Sequence, residues 1–161
     1  MTTMTAINYR AARTWITLAV FIVVVIAVGG LIGTSSTPGP WYEGLDKPPF
    51  NPPNWVFGPA WGTLYLLIAI AGWRIWMLAP SSTAMKLWFA QMLFNWMWSP
   101  VWFIGQLLWP AFAVILVILA LIIAFIVAAR RIDPISAWLF VPYLAWVAFA
   151  SLLNLSIALL N

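Results

Sequence analysis

The sequence predicts an all-α integral membrane protein, a five-transmembrane-helix bundle, and three observations predict it. Of 161 residues, 65% are apolar and only 6% are charged, whereas soluble domains carry roughly 25% charged residues. So few charges cannot coat a water-facing surface, and the mean hydropathy of +1.02 agrees. Five apolar runs between polar or proline-rich breaks reach the length that a bilayer core of about 30 Å requires, roughly 20 helical residues each. In lipid every backbone polar group must be paired internally, so these runs become helices packed as one bundle. The expectation is a single membrane domain over residues 1–161.

The first run, 14–32, follows Arg10 and Arg13 and superficially resembles a secretory signal. A signal's apolar region runs only about 7 to 15 residues, so this longer stretch reads as an uncleaved first helix. The connection 33–58 contains Pro38, Pro40, Pro48, Pro49, Pro52 and Pro53, with Pro59 just beyond, interleaved with Trp41, Tyr42, Phe50 and Trp55. Prolines hold extended or turned backbone at low entropic cost, so the loop reads as an ordered lid, the alternative being a rigid spacer with its rings in the headgroup layer. In the second run, 59–78, Arg74 lies about one turn inside and is long enough to snorkel to the interface. Ser81, Ser82 and Thr83 supply acceptors for the amides that open the third run, 84–104, and Pro110 precedes the fourth, 111–129. Asp133 followed by Pro134 is an N-cap and a fixed-φ first residue ahead of the fifth, 136–158. Pro100 and Pro142 cannot donate to the carbonyls of Trp96 and Trp138, so kinks are expected there. Gly58-x-x-x-Gly62 matches a close-packing pattern of membrane helices and is a weak dimer signal.

Seven Lys and Arg against three Asp and Glu give a net charge of +4, but the cations are scattered and form no nucleic-acid-binding face. Arg10, Arg13, Arg74, Lys86, Arg130 and Arg131 fall on the side of the N-terminus and Lys47 alone on the other. The N-terminus is therefore expected to be cytoplasmic, with the first loop and the C-terminus outside. Zero cysteines exclude disulfides and thiolate chemistry, and zero histidines remove the commonest metal ligand, so no metal site is expected. Glu43, Asp46 and Asp133 all fall in loops, leaving no buried acid as a proton relay or as a partner for an intramembrane cation. Phosphate cradles and serine-histidine-acid sets are absent too.

What remains is indole, with thirteen tryptophans. Trp15, Trp109 and Trp138 lie at expected helix ends, where such rings anchor at the interface. Others recur at helical spacing. Gln91, Asn95 and Trp98 share a face of the third run, with Trp102 next along it; Tyr143, Trp146, Ala150 and Asn154 share one of the fifth; Trp61 and Tyr65 are a turn apart on the second. Unpaired amides are costly in lipid, so the stripes are expected to turn inward toward one another. Each amide alone reads equally as interhelical glue. Together with the flanking rings they outline a flat, mostly apolar site with a few polar handles, beneath the aromatic loop.

The stretches WYEGLDKPPFNPPNWVFGPAWGTLYLL (Trp41 to Leu67), FNWMWSPVWF (Phe94 to Phe103) and VPYLAWVAFASLLN (Val141 to Asn154) resemble the tryptophan-rich sensory protein/translocator protein family, in order and spacing, over nearly the whole chain. The resemblance implies a five-helix bundle, usually a homodimer, whose first loop covers a pocket for porphyrins, haem and benzodiazepine-type ligands, with no obligatory cofactor. It implies that Trp61 and Asn95 hydrogen-bond a ligand while Tyr42, Trp98, Trp146 and Ala150 form its wall. It further implies, for some members, light-dependent porphyrin breakdown through the tryptophans matching Trp61 and Trp146, with indole as electron donor. This sequence departs from many relatives in reading KPPF, with Pro49 and Phe50, where they carry tryptophan, and its last helix ends LSIALLN without the Tyr and Arg of the animal sterol motif. A membrane-embedded binding or sensory protein is the leading expectation, a transporter of tetrapyrroles or lipids the alternative. Missing intramembrane ion pairs and inverted repeats count against coupled transport.

Overall fold

The computed structural model describes residues 7–161, which are all-helical with connecting turns; the first six residues of the expected domain lie outside them. In chain order the elements are α1 (Ala12–Ser35), α2 (Pro40–Glu43), a 3₁₀ turn (Asn54–Val56), α3 (Phe57–Leu78), α4 (Thr83–Ser99), a π turn (Pro100–Ile104), α5 (Leu108–Ala129), α6 (Pro134–Leu139) and α7 (Val141–Leu160).

The all-α expectation agrees with these elements, but the count of five transmembrane helices does not. Among the described residues four helical stretches are long and apolar enough to cross a membrane: Ala12–Ser35, Asn54–Leu78, Leu108–Ala129 and Pro134–Leu160. The run 84–104 yields a 17-residue α-helix that stops at Ser99, short of the roughly 20 residues a crossing takes. Two causes combine. Lys86, Gln91, Asn95 and Ser99 dilute its apolar character, and Pro100 has no amide to continue the ladder to Trp96.

Pro100 therefore changes the helix type where a kink was expected. The Gly105 amide donates to the Pro100 carbonyl at 2.8 Å and the Leu107 amide to the Val101 carbonyl at 3.2 Å, wider rings than an α-helix closes. Gln106 then leaves the turn at φ 55°, the single described non-glycine residue at positive φ. Gln106→Gly is expected to be neutral to about 1 kcal/mol stabilising, and Gln106→Val about 1–2 kcal/mol destabilising, because a branched Cβ tolerates that conformation poorly; thermal denaturation in detergent measures both. At Pro142 the fifth run is divided without a π turn, α6 ending at Leu139 and α7 restarting at Val141. The caps follow local chemistry. Ser82 accepts from the Met85 amide and Asp133 from the Ser136 amide.

Helix α4 lies along α5, α1 along α3, and α5 along α7, whereas α3 and α7 meet only sparsely. The main core runs through Ile68, Ile75, Ile115, Ile122, Phe125 and Tyr143, and the rings of Phe125 and Phe140 are 3.9 Å apart. Helix α1 buries only Thr14, Val25 and Gly29 and shows Ile16, Val23 and Leu31 to the surroundings. That is reasonable where the solvent is hydrocarbon. Gly29 admits the Tyr65 ring and Gly72 the Trp88 ring: a Cβ at either would lie 2.3 Å from the neighbouring ring. Trp15, Trp109 and Trp138 are more than half exposed at helix ends, as interface anchors would be.

At the end opposite the long loop, Arg74 does not reach for water alone. Its Nε and Nη2 donate to the two carboxylate oxygens of Asp133 at 2.7 and 2.9 Å, and its Nη1 to the Tyr9 hydroxyl at 3.2 Å. The Asp133 carboxylate also accepts from the Ser136 amide and hydroxyl, at 3.1 and 2.6 Å. The expectation that no carboxylate is buried against a cation is thereby corrected: Asp133 is only 6% exposed. Sequence position placed it in a loop, and the fold turned that loop onto α3.

Candidate ligand-binding site

The three stripes do face inward. Gln91, Asn95, Tyr143 and Asn154 are all buried; the first three pair with one another, and Asn154 pairs with Trp98 and the Leu108 carbonyl. The Tyr65 hydroxyl donates to Asn95 Oδ1 at 3.1 Å, Asn95 Nδ2 to the Tyr143 oxygen at 2.7 Å, the Tyr143 hydroxyl to Gln91 Oε1 at 3.1 Å, and Gln91 Nε2 to the Trp88 carbonyl at 3.0 Å. Three helices, α3, α4 and α7, thus meet in one hydrogen-bonded row. The Trp61 ring lies beside it, 5.3 Å from Tyr65 and 6.3 Å from Tyr143 between centroids. In a low-dielectric interior such bonds strengthen one another, and each would be costly to leave unmade.

Nearer the loop, Trp98 Nε1 donates to Asn154 Oδ1 at 3.3 Å while Asn154 Nδ2 donates to the Leu108 carbonyl at 3.2 Å. Trp98 stacks on Trp102, 5.6 Å apart at 14°, and Trp41 meets Trp102 edge-on at 6.1 Å. Tyr42 belongs to this second cluster, with Leu153, Ile157 and Ala111, and not to the row around Asn95. Its hydroxyl donates to Asn51 Oδ1 at 3.2 Å. Burial pushes the Tyr42 phenol above its ordinary pKa against the pull of that hydrogen bond, so it stays neutral. Ala150 is half-buried against the main core. Trp146 packs edge-on against Phe57 at 5.9 Å, and its Nε1 is buried with no hydrogen-bond partner among the described residues.

The loop is tied down at several points. Lys47 Nζ donates to the carbonyls of Glu43 and Leu45 at 3.1 and 2.9 Å and lies 4.8 Å above the Tyr42 ring. The Asp46 amide donates to Asn161 Oδ1, and Asn161 Nδ2 returns a bond to the Asp46 carbonyl, both at 3.0 Å. Asn51, Phe57 and Asn161 thereby join the site without having been singled out for it, and Trp41 and Trp102 join it from the aromatic loop and the Trp98 stripe. Trp102 carried a signal, continuing the Trp98 stripe; the π turn decides how it is used. Asn161 carried none.

Two open spaces flank these clusters. A hollow of about 380 Å³ lies at the loop, between Tyr42, Glu43, Lys47, Asn51 and Asn54. A larger crevice of about 750 Å³ separates α3 from α7 and is lined by Pro59, Thr63, Leu67, Ala145, Trp146 and Phe149.

The model of the TspO/MBR family matches residues 17–160. The chain belongs to the TspO/MBR family. Among its TspO/MBR relatives, the tryptophan-rich sensory protein of Cereibacter sphaeroides is 37% identical over 145 residues, 89% of this chain and 92% of its own length. The translocator protein of Ovis aries is 35% identical over 144 residues, 84% of this chain and 85% of its own length. The tryptophan-rich protein TspO of Archaeoglobus fulgidus is 40% identical over 150 residues, 89% of this chain and 96% of its own length. Family membership and four apolar helices make the chain an integral, multi-pass membrane protein of the TspO/MBR sensory and translocator class.

Proposed function

We propose that the protein binds porphyrins and similar flat hydrophobic molecules within the membrane, as a sensory binding protein, with residues 36–53 as the lid. The observation that carries this reading is the convergence of Tyr65, Asn95, Tyr143 and Gln91 from three helices beside the Trp61 ring. A tetrapyrrole needs broad apolar faces and a few polar handles, and the row with its flanking indoles supplies both. Haem fits only as a stacked ligand. The chain has no histidine or cysteine, and the described residues contain no cluster of three or more His, Cys, Asp or Glu, so the iron has none of its usual nitrogen or thiolate ligands.

The name translocator protein, carried by the ovine relative, raises the second reading, movement of such ligands through the membrane. The crevice between α3 and α7 favours it. Cations crowd the end that holds Arg74, with Arg10, Arg13, Lys86, Arg130 and Arg131, which supports placing that end in the cytoplasm and the lid outside.

Protoporphyrin titrated against tryptophan fluorescence in detergent tests the reading. Trp61→Ala and Trp146→Ala are each expected to weaken binding by about tenfold, equivalent to about 1.4 kcal/mol. Unchanged affinity in both variants refutes the site.

A further inference from the structure

The crevice between α3 and α7 is set into two of the membrane-crossing stretches, Asn54–Leu78 and Pro134–Leu160. Its walls explain its existence. Pro59, Ala60 and Thr63 on one side and Pro142 and Ala145 on the other are too small or too stiff to bring the helices into contact, and α3 meets α7 only sparsely. Lining this close to wholly apolar, opening on a span, meets acyl chains and not water. A molecule arriving there comes from the bilayer.

One residue is common to this crevice and to the inward stripe of α7, Trp146. Its ring stands with Phe57 at 5.9 Å and Phe149 at 6.0 Å, between the lipid-facing opening and the side of α7 that carries Tyr143 and Asn154. Its indole N–H is buried and unpartnered among the described residues. Buried indoles ordinarily find an acceptor. Those of Trp73, Trp88 and Trp98 do, on the Thr14 carbonyl, the Ile68 carbonyl and Asn154. Trp96 Nε1 is also unpartnered, but Trp96 packs against the main core and does not line the crevice. A donor held idle in an apolar wall costs about 1–3 kcal/mol, which an incoming acceptor would recover.

We infer that the α3–α7 crevice is a lateral port from the bilayer to the Asn95 row, with Trp146 as its gate. The molecule it admits is apolar and flat and carries a hydrogen-bond acceptor, a carbonyl or carboxylate oxygen, that meets the Trp146 N–H as the ring swings aside. The inference rests on the functional reading above and adds the route by which the site is reached.

The absence of cysteine from the chain makes the port testable without removing any native residue of that kind. Thr63 and Ala145 are both exposed on opposite walls. Thr63→Cys and Ala145→Cys together, bridged by a reducible bis-methanethiosulfonate linker, close the crevice from the lipid side. In proteoliposomes, protoporphyrin binding followed by tryptophan quenching is expected to become about tenfold slower in the bridged protein, with the same final extent, and to recover on reduction. Trp146→Ala in the unbridged protein is expected to speed entry, and to speed exit about tenfold more than entry, in keeping with its weaker binding. A rate indifferent to the bridge overturns the port and leaves the loop end as the entrance. Failure of the unbridged, correctly folded protein to bind protoporphyrin at all overturns the functional reading and the port with it.

Discussion

Asp133→Asn will lower the unfolding free energy by about 3–5 kcal/mol, the cost of leaving a buried charge without its partner. The substitution keeps an oxygen for the Ser136 amide but removes the charge that faces Arg74, whose side chain is 15% exposed, against 8% for Asp133. Arg74→Leu leaves the carboxylate stranded instead and should cost a similar amount. The double variant should cost less than the sum, since replacing both partners with uncharged side chains removes the desolvated charges together. Thermal denaturation in detergent, run as a double-mutant cycle, reads all three. The pH dependence has a definite sign. Burial on its own raises the Asp133 pKa, but the hydrogen bonds from Arg74 and Ser136 outweigh it and hold the carboxyl below its ordinary value. A depressed folded-state value means that this stability is complete above the ordinary carboxylate range and disappears as pH falls through the folded value. The melting temperature of the native protein should therefore hold through neutral pH and drop in acid below about pH 4. In Asp133→Asn that acid drop should shrink.

Gly29→Ala should cost about 1–3 kcal/mol and also disturb the site. The added Cβ would lie 2.3 Å from Tyr65 Cε2, and the ring it displaces is the one whose hydroxyl reaches Asn95. Gly30 provides the control one residue away, because a Cβ there meets nothing within 4 Å. Gly30→Ala should be neutral or stabilising by up to about 1 kcal/mol, since alanine orders a helix better than glycine. If the two variants melt alike, the close approach of α1 to Tyr65 is wrong. Combining Gly29→Ala with Tyr65→Leu should recover most of the loss of stability but not the loss of protoporphyrin affinity.

Periodicity carried much of this. Amides at Gln91, Asn95 and Asn154 recur with aromatic residues at helical spacing, and burying them against one another is the cheapest arrangement in hydrocarbon, so their inward direction was legible. Length misled at 84–104. A window of apolar residues counts Trp, Met and Phe without asking whether Pro100 lets the α-helix continue, and four helical stretches have the length and apolarity of a crossing where five were expected. Loop position misled at Asp133. A carboxylate two residues beyond Arg131 looks solvated until the turn after α5 brings it 2.7 Å from Arg74 Nε, 59 positions earlier. The pairing of Asn161 with Asp46 spans 115 positions, and no local pattern encodes a contact of that separation. The motifs point to the family, while the crevice between α3 and α7 exists only in the folded chain, because it is made by what Pro59, Thr63 and Ala145 lack.

The row from Tyr65 to the Trp88 carbonyl also has a polarity that turning over an amide cannot reverse. Its terminus is a main-chain oxygen, which only accepts; Gln91 must present nitrogen to it and oxygen to Tyr143, and Asn95 is then forced to offer nitrogen to Tyr143 and oxygen to Tyr65. The backbone of α4 thus dictates, link by link, which way the hydroxyl protons of Tyr143 and Tyr65 point, and it leaves the Tyr65 oxygen with lone pairs as the free tail of an arrow.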